Sequence, residues 1–342
     1  MESSIAEHLQ VPRSRPPRKS SDYTPPYPAT SARFRPQVTQ VVMAYLGVQY
    51  RGEAPADVLA GLRGTFTAAD GPGGVDRARY VDEAGWTTDL HIAYWDDPAA
   101  YDRWTAAGVG WTDPSRAGQG VGLFAEVLRP SVQRYETLFS NDRLEGVSVL
   151  AEGLSGEIRE HGYWGGARDR MPLAQVDALA PGSPPRVVRD GPVLRVTPQE
   201  NLCLIRSGQE WTETDGDERR MYTEDVEPEL RAGMDFLRDD GLGVGCYANR
   251  YVRVLDDDGR LTDKSFGMSW WRSMEELDTW AESHPTHLAI FGAAMRYLTA
   301  MGPAARLRLY HEVTVAAADE QSFSYLDCHP ATGMLRAAVT TG

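Results

Sequence analysis

Between Leu307 and Val315 the chain alternates with a period of two. Leu307, Leu309, Val313 and Val315 define an apolar face that His311 interrupts, while Arg308, Tyr310, Glu312 and Thr314 take the other face. The pattern predicts a β-strand over 306–317. Upstream, Leu230, Met234 and Leu237 recur at helical spacing with Gly241 as a stop. Ser273 with Glu276 reads as a capping box that launches a helix, and a further helix is predicted over 287–301. Apolar runs at 200–208, 244–255 and 264–271 read as strands. The stretch 200–317 is therefore strand, helix, two strands, helices, strand. An earlier stretch follows the same order: a strand at 40–50, a helix carrying Leu59, Leu62 and Phe66, strands at 78–83 and 88–95, a helix over 98–106 and a strand at 132–140.

The two stretches also match in detail. IAYWDDPAAYDRW (92–104) and GMSWWRSMEELDTW (267–280) each read as a strand ending at tryptophan, a turn and a helix. Trp95 and Trp104 are nine residues apart, as are Trp271 and Trp280; Tyr135 follows Trp104 by 31 residues and Tyr310 follows Trp280 by 30. The expected fold is α+β with two ferredoxin-like βαββαβ halves. The expected divisions are an N-terminal arm (1–38), a first half (39–145), an insertion that walls the site (146–195), a second half (196–318) and a C-terminal segment (319–342). Within the arm, the basic, proline-containing VPRSRPPRKS (11–20) is read as a mobile or surface-draped tail. By the repeat, Glu136 takes the slot after Tyr135 that His311 takes after Tyr310, in the matching strand of the other sheet.

Composition narrows the function. A net charge of −14 argues against a nucleic-acid surface, which needs a positive field. No apolar run approaches the ~20 residues that span a bilayer. No apolar h-region follows the early charges, and the three cysteines lack CxxC spacing, so a reducing cytoplasm without a disulfide framework is expected.

The candidate chemistry centres on two histidines. A histidine in an apolar row must satisfy two ring nitrogens, and a satisfied core histidine is the plain reading of His311 alone. His287 heads a helix after Pro285, with Phe291, Ala294 and Leu298 below it and Ser283 or Thr286 as cap. His284 and His287 form HxxH, which with His311 could hold zinc, but the glutamate of HExxH is missing and Pro285 disturbs the geometry. A helix histidine, a strand histidine and an oily wall suit haem better, one ring as proximal ligand and the other as acid or base over the open face. Ser207, at the end of a strand before Gly208, could bond a substrate oxygen or be a turn serine. Arg168 and Arg170, in GGARDRMP (165–172), could hold a propionate or a distal group, or be surface charges.

At these residues the chain closely resembles the bacterial haem-containing aldoxime dehydratases. The resemblance is carried along the whole length by QVVMAYLGVQYRGE (40–53), SGEIREHGYWG (155–165), IRSGQEW (205–211), GMDFLRDDG (233–241), VGCYANRYVR (244–253), ESHPTHL (282–288), LRLYHEV (307–313) and HPATGMLR (329–336). One departure is a slightly longer connection, containing Gly302 and Pro303, over 302–306. The resemblance implies a duplicated ferredoxin-like chain of the dimeric α/β-barrel type, usually a homodimer, with haem b in the second half. It implies conversion of R-CH=N-OH to R-C≡N and water, with the oxime nitrogen on ferrous iron. It assigns the proximal ligand to His287, the distal acid–base to His311, the serine on the oxime hydroxyl to Ser207, the distal arginine to Arg170 with Arg168 as competitor, and the supporting carboxylate to Glu136. The alternatives are a haem protein of the same barrel type acting on peroxide or on haem itself, a haem carrier or sensor, and, more distantly, a zinc hydrolase.

Overall fold

Nine consecutive buried residues make β1 (Val42–Tyr50) a strand covered on both faces, which is why its sequence lacks a polar side. The computed structural model describes residues 1–108 and 110–339, and β1 belongs to an open antiparallel sheet of twelve strands. The others are β2 (Gly74–Val81), β3 (Thr87–Trp95), β4 (Gly122–Leu128), β5 (Tyr135–Phe139), β6 (Val187–Asp190), β7 (Val193–Val196), β8 (Leu202–Glu210), β9 (Cys246–Leu255), β10 (Leu261–Trp271), β11 (Arg308–Ala316) and β12 (Gln321–Leu326). Their spatial order is β5-β11-β8-β10-β9-β2-β3-β1-β4-β12-β7-β6. The four strands β1–β4 and the four strands β8–β11 thus pair in the same relative order. The two sets join where β9 meets β2, through Arg253–Leu255 against Arg77–Arg79.

The register confirms the tryptophan match. Trp95 pairs with Val42 at the start of β1, and Trp271 pairs with Cys203 at the start of β8. Gly47 opposes Phe124 as Gly208 opposes Tyr310. A Cβ on either glycine would overlap the facing aromatic ring, so both positions need the bare backbone. Gly47→Ala, in the half remote from His311, is expected to cost about 1–3 kcal/mol through overpacking. The check is thermal unfolding; an unchanged midpoint would mean that the Phe124 ring can move aside.

Two expectations are corrected. The sheet does not close into a barrel: its ends are β5 and β6. The fourth strand of the first half is β4, not the segment at 132–140. That segment, β5, crosses over to pair with β11, opposing Glu136 to Val313 and Leu138 to His311. Reciprocally β12, which follows β11, pairs with β4. Tyr135 is therefore not the counterpart of Tyr310, and Glu136 lies beside the strand of His311 rather than in the other sheet. The longer connection is taken up by a 3₁₀ turn at Gly302–Ala304, with Gly302 at φ +52°.

One face of the sheet carries a core shared by both halves, in which Tyr45 meets Trp270 at 6.0 Å among Phe124, Phe266, Met268 and Tyr325. The polar face of β11 turns into this core: Glu312 is buried and accepts from the Val147 N–H at 2.7 Å and the Tyr94 hydroxyl at 3.3 Å. The opposite face of the first half is filled by aromatics. Phe66, Trp95, Trp104 and Trp111 pack there between the strands, α1 (Ala56–Gly64) and α2 (Pro98–Ala107). In the second half, after a short α4 (Gly216–Met221), the corresponding face lies under α5 (Glu227–Asp239) and α6 (Met274–Ser283). The next helix, α7 (Pro285–Met301), packs on α5 and α6 rather than on the strands.

Candidate active site

His311 and Ser207 are direct partners across β11 and β8, so their side chains share a face. Neighbours Arg206, Gly208, Tyr310 and Glu312 are all buried, yet Ser207 and His311 are only half-buried, as are Ile205, Leu309 and Leu138 beside them. In the first half the equivalent pair is Leu46 and Ala125. The polar pair is thus peculiar to the second half, where protein leaves its face incompletely covered.

Two charged groups hold the His311 ring. Its Nε2 lies 2.7 Å from Arg170 Nη2 and 3.2 Å from Glu136 Oε1. Arg170 sits at the end of a short helix, α3 (Gly166–Arg170), donates from Nε to Glu136 Oε2 at 2.5 Å and from Nη1 to the Glu160 carbonyl at 2.7 Å. Arg170 and Glu136 are both buried. Burial pushes the Glu136 carboxyl up, but the Arg170 guanidinium and His311 outweigh it and hold it below its ordinary value. Glu136 is therefore a carboxylate that can accept from a ring N–H of His311, while the Arg170 guanidinium can donate to a ring lone pair. The ring finds a charged partner in either state.

His287 is fixed from the helix side. Its Nδ1 donates to the Ala281 carbonyl at 2.7 Å, and Trp280 and Trp164 flank the ring at 4.7 and 5.4 Å. Burial holds its pKa below the ordinary histidine value, against the hydrogen bond to Ala281. A neutral ring with its proton on Nδ1 presents the Nε2 lone pair, which is what a metal ligand needs. His284 is different: its Nδ1 meets Thr286 Oγ1 at 2.9 Å, its ring stacks on Phe236 at 4.3 Å, and it occupies the N-cap position expected for Ser283 or Thr286. Among the described residues no group of three or more His, Cys, Asp or Glu converges on a metal position, so HxxH does not assemble a zinc site.

A haem fits this donor set. One apolar cluster runs from Ile205 and Val313 beside His311 to Trp280 and Ile290 near His287. Near His287 on the same helix, Phe291 is 42% exposed and Leu288 43%. Exposed Phe291 and Leu288 on α7, and half-buried Ile205, Leu309 and Leu138 beside His311, leave apolar surface of the kind a large flat apolar ligand covers. The lone pair of His287 would hold its metal on one side.

Among the residues expected at the site, His311, Ser207, Arg170 and Glu136 come together on β11, β8, α3 and β5, and His287 stands on α7. It is Arg170, not Arg168, that bonds His311. Sequence reasoning missed Trp164, Ala281 and Asp169. Trp164 lies within the quoted GYWG segment, but a carbonyl contact such as that of Ala281 leaves no trace in residue type.

Comparison with known proteins shows the family of the chain. The profile of the haem-containing dehydratase family matches residues 44–334. An aliphatic aldoxime dehydratase of Pseudomonas chlororaphis is 45% identical over 351 residues, covering 99% of each chain. A crystal structure of an aldoxime dehydratase superposes with a TM-score of 0.93 at 44% identity over 100% of both chains. Another, an aldoxime dehydratase in complex with butyraldoxime, superposes at 0.94 with 42% identity over 99% of this chain and 97% of that one.

Proposed function

Because the chain belongs to the haem-containing dehydratases, we propose that it dehydrates aldoximes, R-CH=N-OH, to nitriles and water at a haem held by His287. Two observations together carry the reading: a neutral histidine tied through Nδ1 on the helix side, and a histidine between a carboxylate and a guanidinium on the sheet side. The cofactor is haem b in its ferrous state; when bound it supplies an electron-rich iron that weakens the N–O bond of the oxime.

The chain's own residues handle protons and orientation. Hydroxide is a poor leaving group, so the His311 imidazolium, supported by Glu136, gives its proton to the departing oxygen. Ser207, directly opposite on β8, bonds that oxygen and fixes its direction. The neutral ring then takes the proton from carbon as the third C–N bond forms. N–O and C–H break, O–H and C≡N form, and His311 returns to its starting charge. Arg170 keeps the ring oriented. Ser207→Ala is expected to lower kcat by roughly ten- to a hundredfold, the worth of a hydrogen bond to a group gaining charge. Loss confined to KM would instead make Ser207 a ground-state binding group.

The shared strand order of β1–β4 and β8–β11 supports reading the halves as a ferredoxin-like duplication. We place the site in the second half, since among the described residues only a 3₁₀ turn (Pro114–Arg116) stands between α2 and β4, where the second half has α7. The three cysteines are free and, among the described residues, no helix is long and apolar enough to cross a membrane; a cytoplasmic homodimer is the assembly and location we assign. The test is nitrile formation from butyraldoxime by the haem-loaded protein, reduced and ferric. Nitrile in the reduced sample alone supports the reading. Peroxide turnover by the ferric form without nitrile would replace it with the peroxide-enzyme alternative.

A further inference from the structure

The segment from Tyr163 to Arg170 reaches both sides of the site. Its Trp164 packs edge-on against His287 at 5.4 Å, and its Arg170 meets His311 at 2.7 Å. It contains only the five-residue helix α3, far too short to hold its own shape. What surrounds it is the N-terminal arm, draped on the surface as one of the two expectations had it and bonded there at Val11, Arg13, Ser14, Arg15 and Arg18. The Asp169 carboxylate, 3% exposed, accepts at Oδ2 from the Arg18 backbone N–H and from the Tyr163 hydroxyl, each at 2.8 Å. The Arg13 guanidinium donates to the Asp169 carbonyl at 3.0 Å. Tyr23 packs edge-on against Tyr163 at 5.2 Å. At Gly165, with φ +81°, a Cβ would come within 2.8 Å of Arg18 Nε.

We infer that Asp169 is a positioning residue that locks segment 163–170 to the N-terminal arm, and thereby sets Trp164 against His287 and Arg170 against His311. The inference deepens the haem reading and rests on it. Among the bonds between arm and segment, those to Asp169 are charge-assisted and shielded from water. The ion pair that Arg18 makes with Glu282 at 3.1 Å, its side chains 46% and 43% exposed, is screened by solvent and holds little. Asp169→Asn keeps one accepting oxygen but removes the charge, so the bonds from the Arg18 N–H and the Tyr163 hydroxyl weaken to neutral ones, and the segment is freer to shift at both of its working ends.

Two readouts report on those ends separately. Haem transfer from the full-length loaded protein to excess apomyoglobin reads the His287 side. The acid limb of kcat against pH reads the His311 side through Glu136, which faces Arg170 on α3, His311 on β11 and, farther off, Asp278 on α6. Arg170 helps to keep the Glu136 carboxyl low, so a loosened Arg170 lets it rise and moves the acid limb to higher pH. For Asp169→Asn, haem transfer is expected to quicken by about tenfold or more, as for other partners that orient metal ligands, together with an upward-shifted acid limb. Tyr163→Phe, which deletes one donor to the same carboxylate, is expected to move both readouts the same way by less, and carries the test should Asp169→Asn fail to fold. Both readouts within twofold of wild type, or movement of only one, would overturn the inference. A wild-type protein that takes up no haem would overturn the haem reading and this inference together.

Discussion

His311→Ala is expected to keep its haem and lose turnover by about 10²- to 10⁴-fold, the usual worth of a positioned acid–base group. Retention of haem follows from position: His311 is on β11, and the proposed ligand is on α7, fixed by a carbonyl of α6. Loss of turnover follows because no other group near Ser207 is placed to take its role. Arg170 cannot give up a proton near neutral pH, and Glu136 is a carboxylate held low by its neighbours. Leaving Glu136 and Arg170 paired with each other, the substitution does not strand a buried charge, so the variant is expected to fold. Absorption spectra and nitrile assays on the same preparation check both halves of the prediction. A near-normal rate would remove His311 from the chemistry.

His287→Ala is expected to abolish stable haem binding, with the Soret band falling to background. Phe291 and Leu288 on the same helix offer apolar contact, but it is the imidazole of His287 that supplies a lone pair directed by its own hydrogen bond. Added imidazole should restore part of the haem, because it replaces the missing ligand without altering the fold. His284 cannot substitute, since its ring is stacked on Phe236 and bonded to Thr286. Haem bound as tightly as in wild type would place the ligand elsewhere.

Much of this site was legible in the sequence. The interruption of an apolar row by His311 and the position of His287 after Pro285 mark the two residues on which the proposed chemistry depends. The tryptophan spacing revealed the repeat because Trp95 and Trp271 both close a strand at the same register. The tyrosine spacing misled, because β4 was overlooked. Its sequence, GLFAEVL, is covered almost throughout and so shows no alternation, with glycines at 118, 120 and 122 suggesting a loop. With β4 missing, β5 was taken as the closing strand, and Glu136 was assigned to the wrong sheet. The crossing of β5 to β11 and of β12 to β4 is a tertiary choice that local pattern does not encode. Arg170 was preferred over Arg168 by resemblance alone, since both lie in one short helix and only the three-dimensional path of β5 decides which meets His311. The docking of the arm on Asp169 was invisible for the same reason, because Arg18 contributes its backbone N–H and any residue but proline has one.

The most direct test is the absorption spectrum of the purified wild-type protein, oxidised and then reduced with dithionite, before and after butyraldoxime, with nitrile measured in the same cuvette. The account predicts a Soret band in both states, a shift on adding oxime to the reduced form, and butyronitrile accumulating as the shifted spectrum decays. A Soret band that ignores the oxime, with no nitrile, would contradict the assignment of His311 and His287 to a site of aldoxime dehydration.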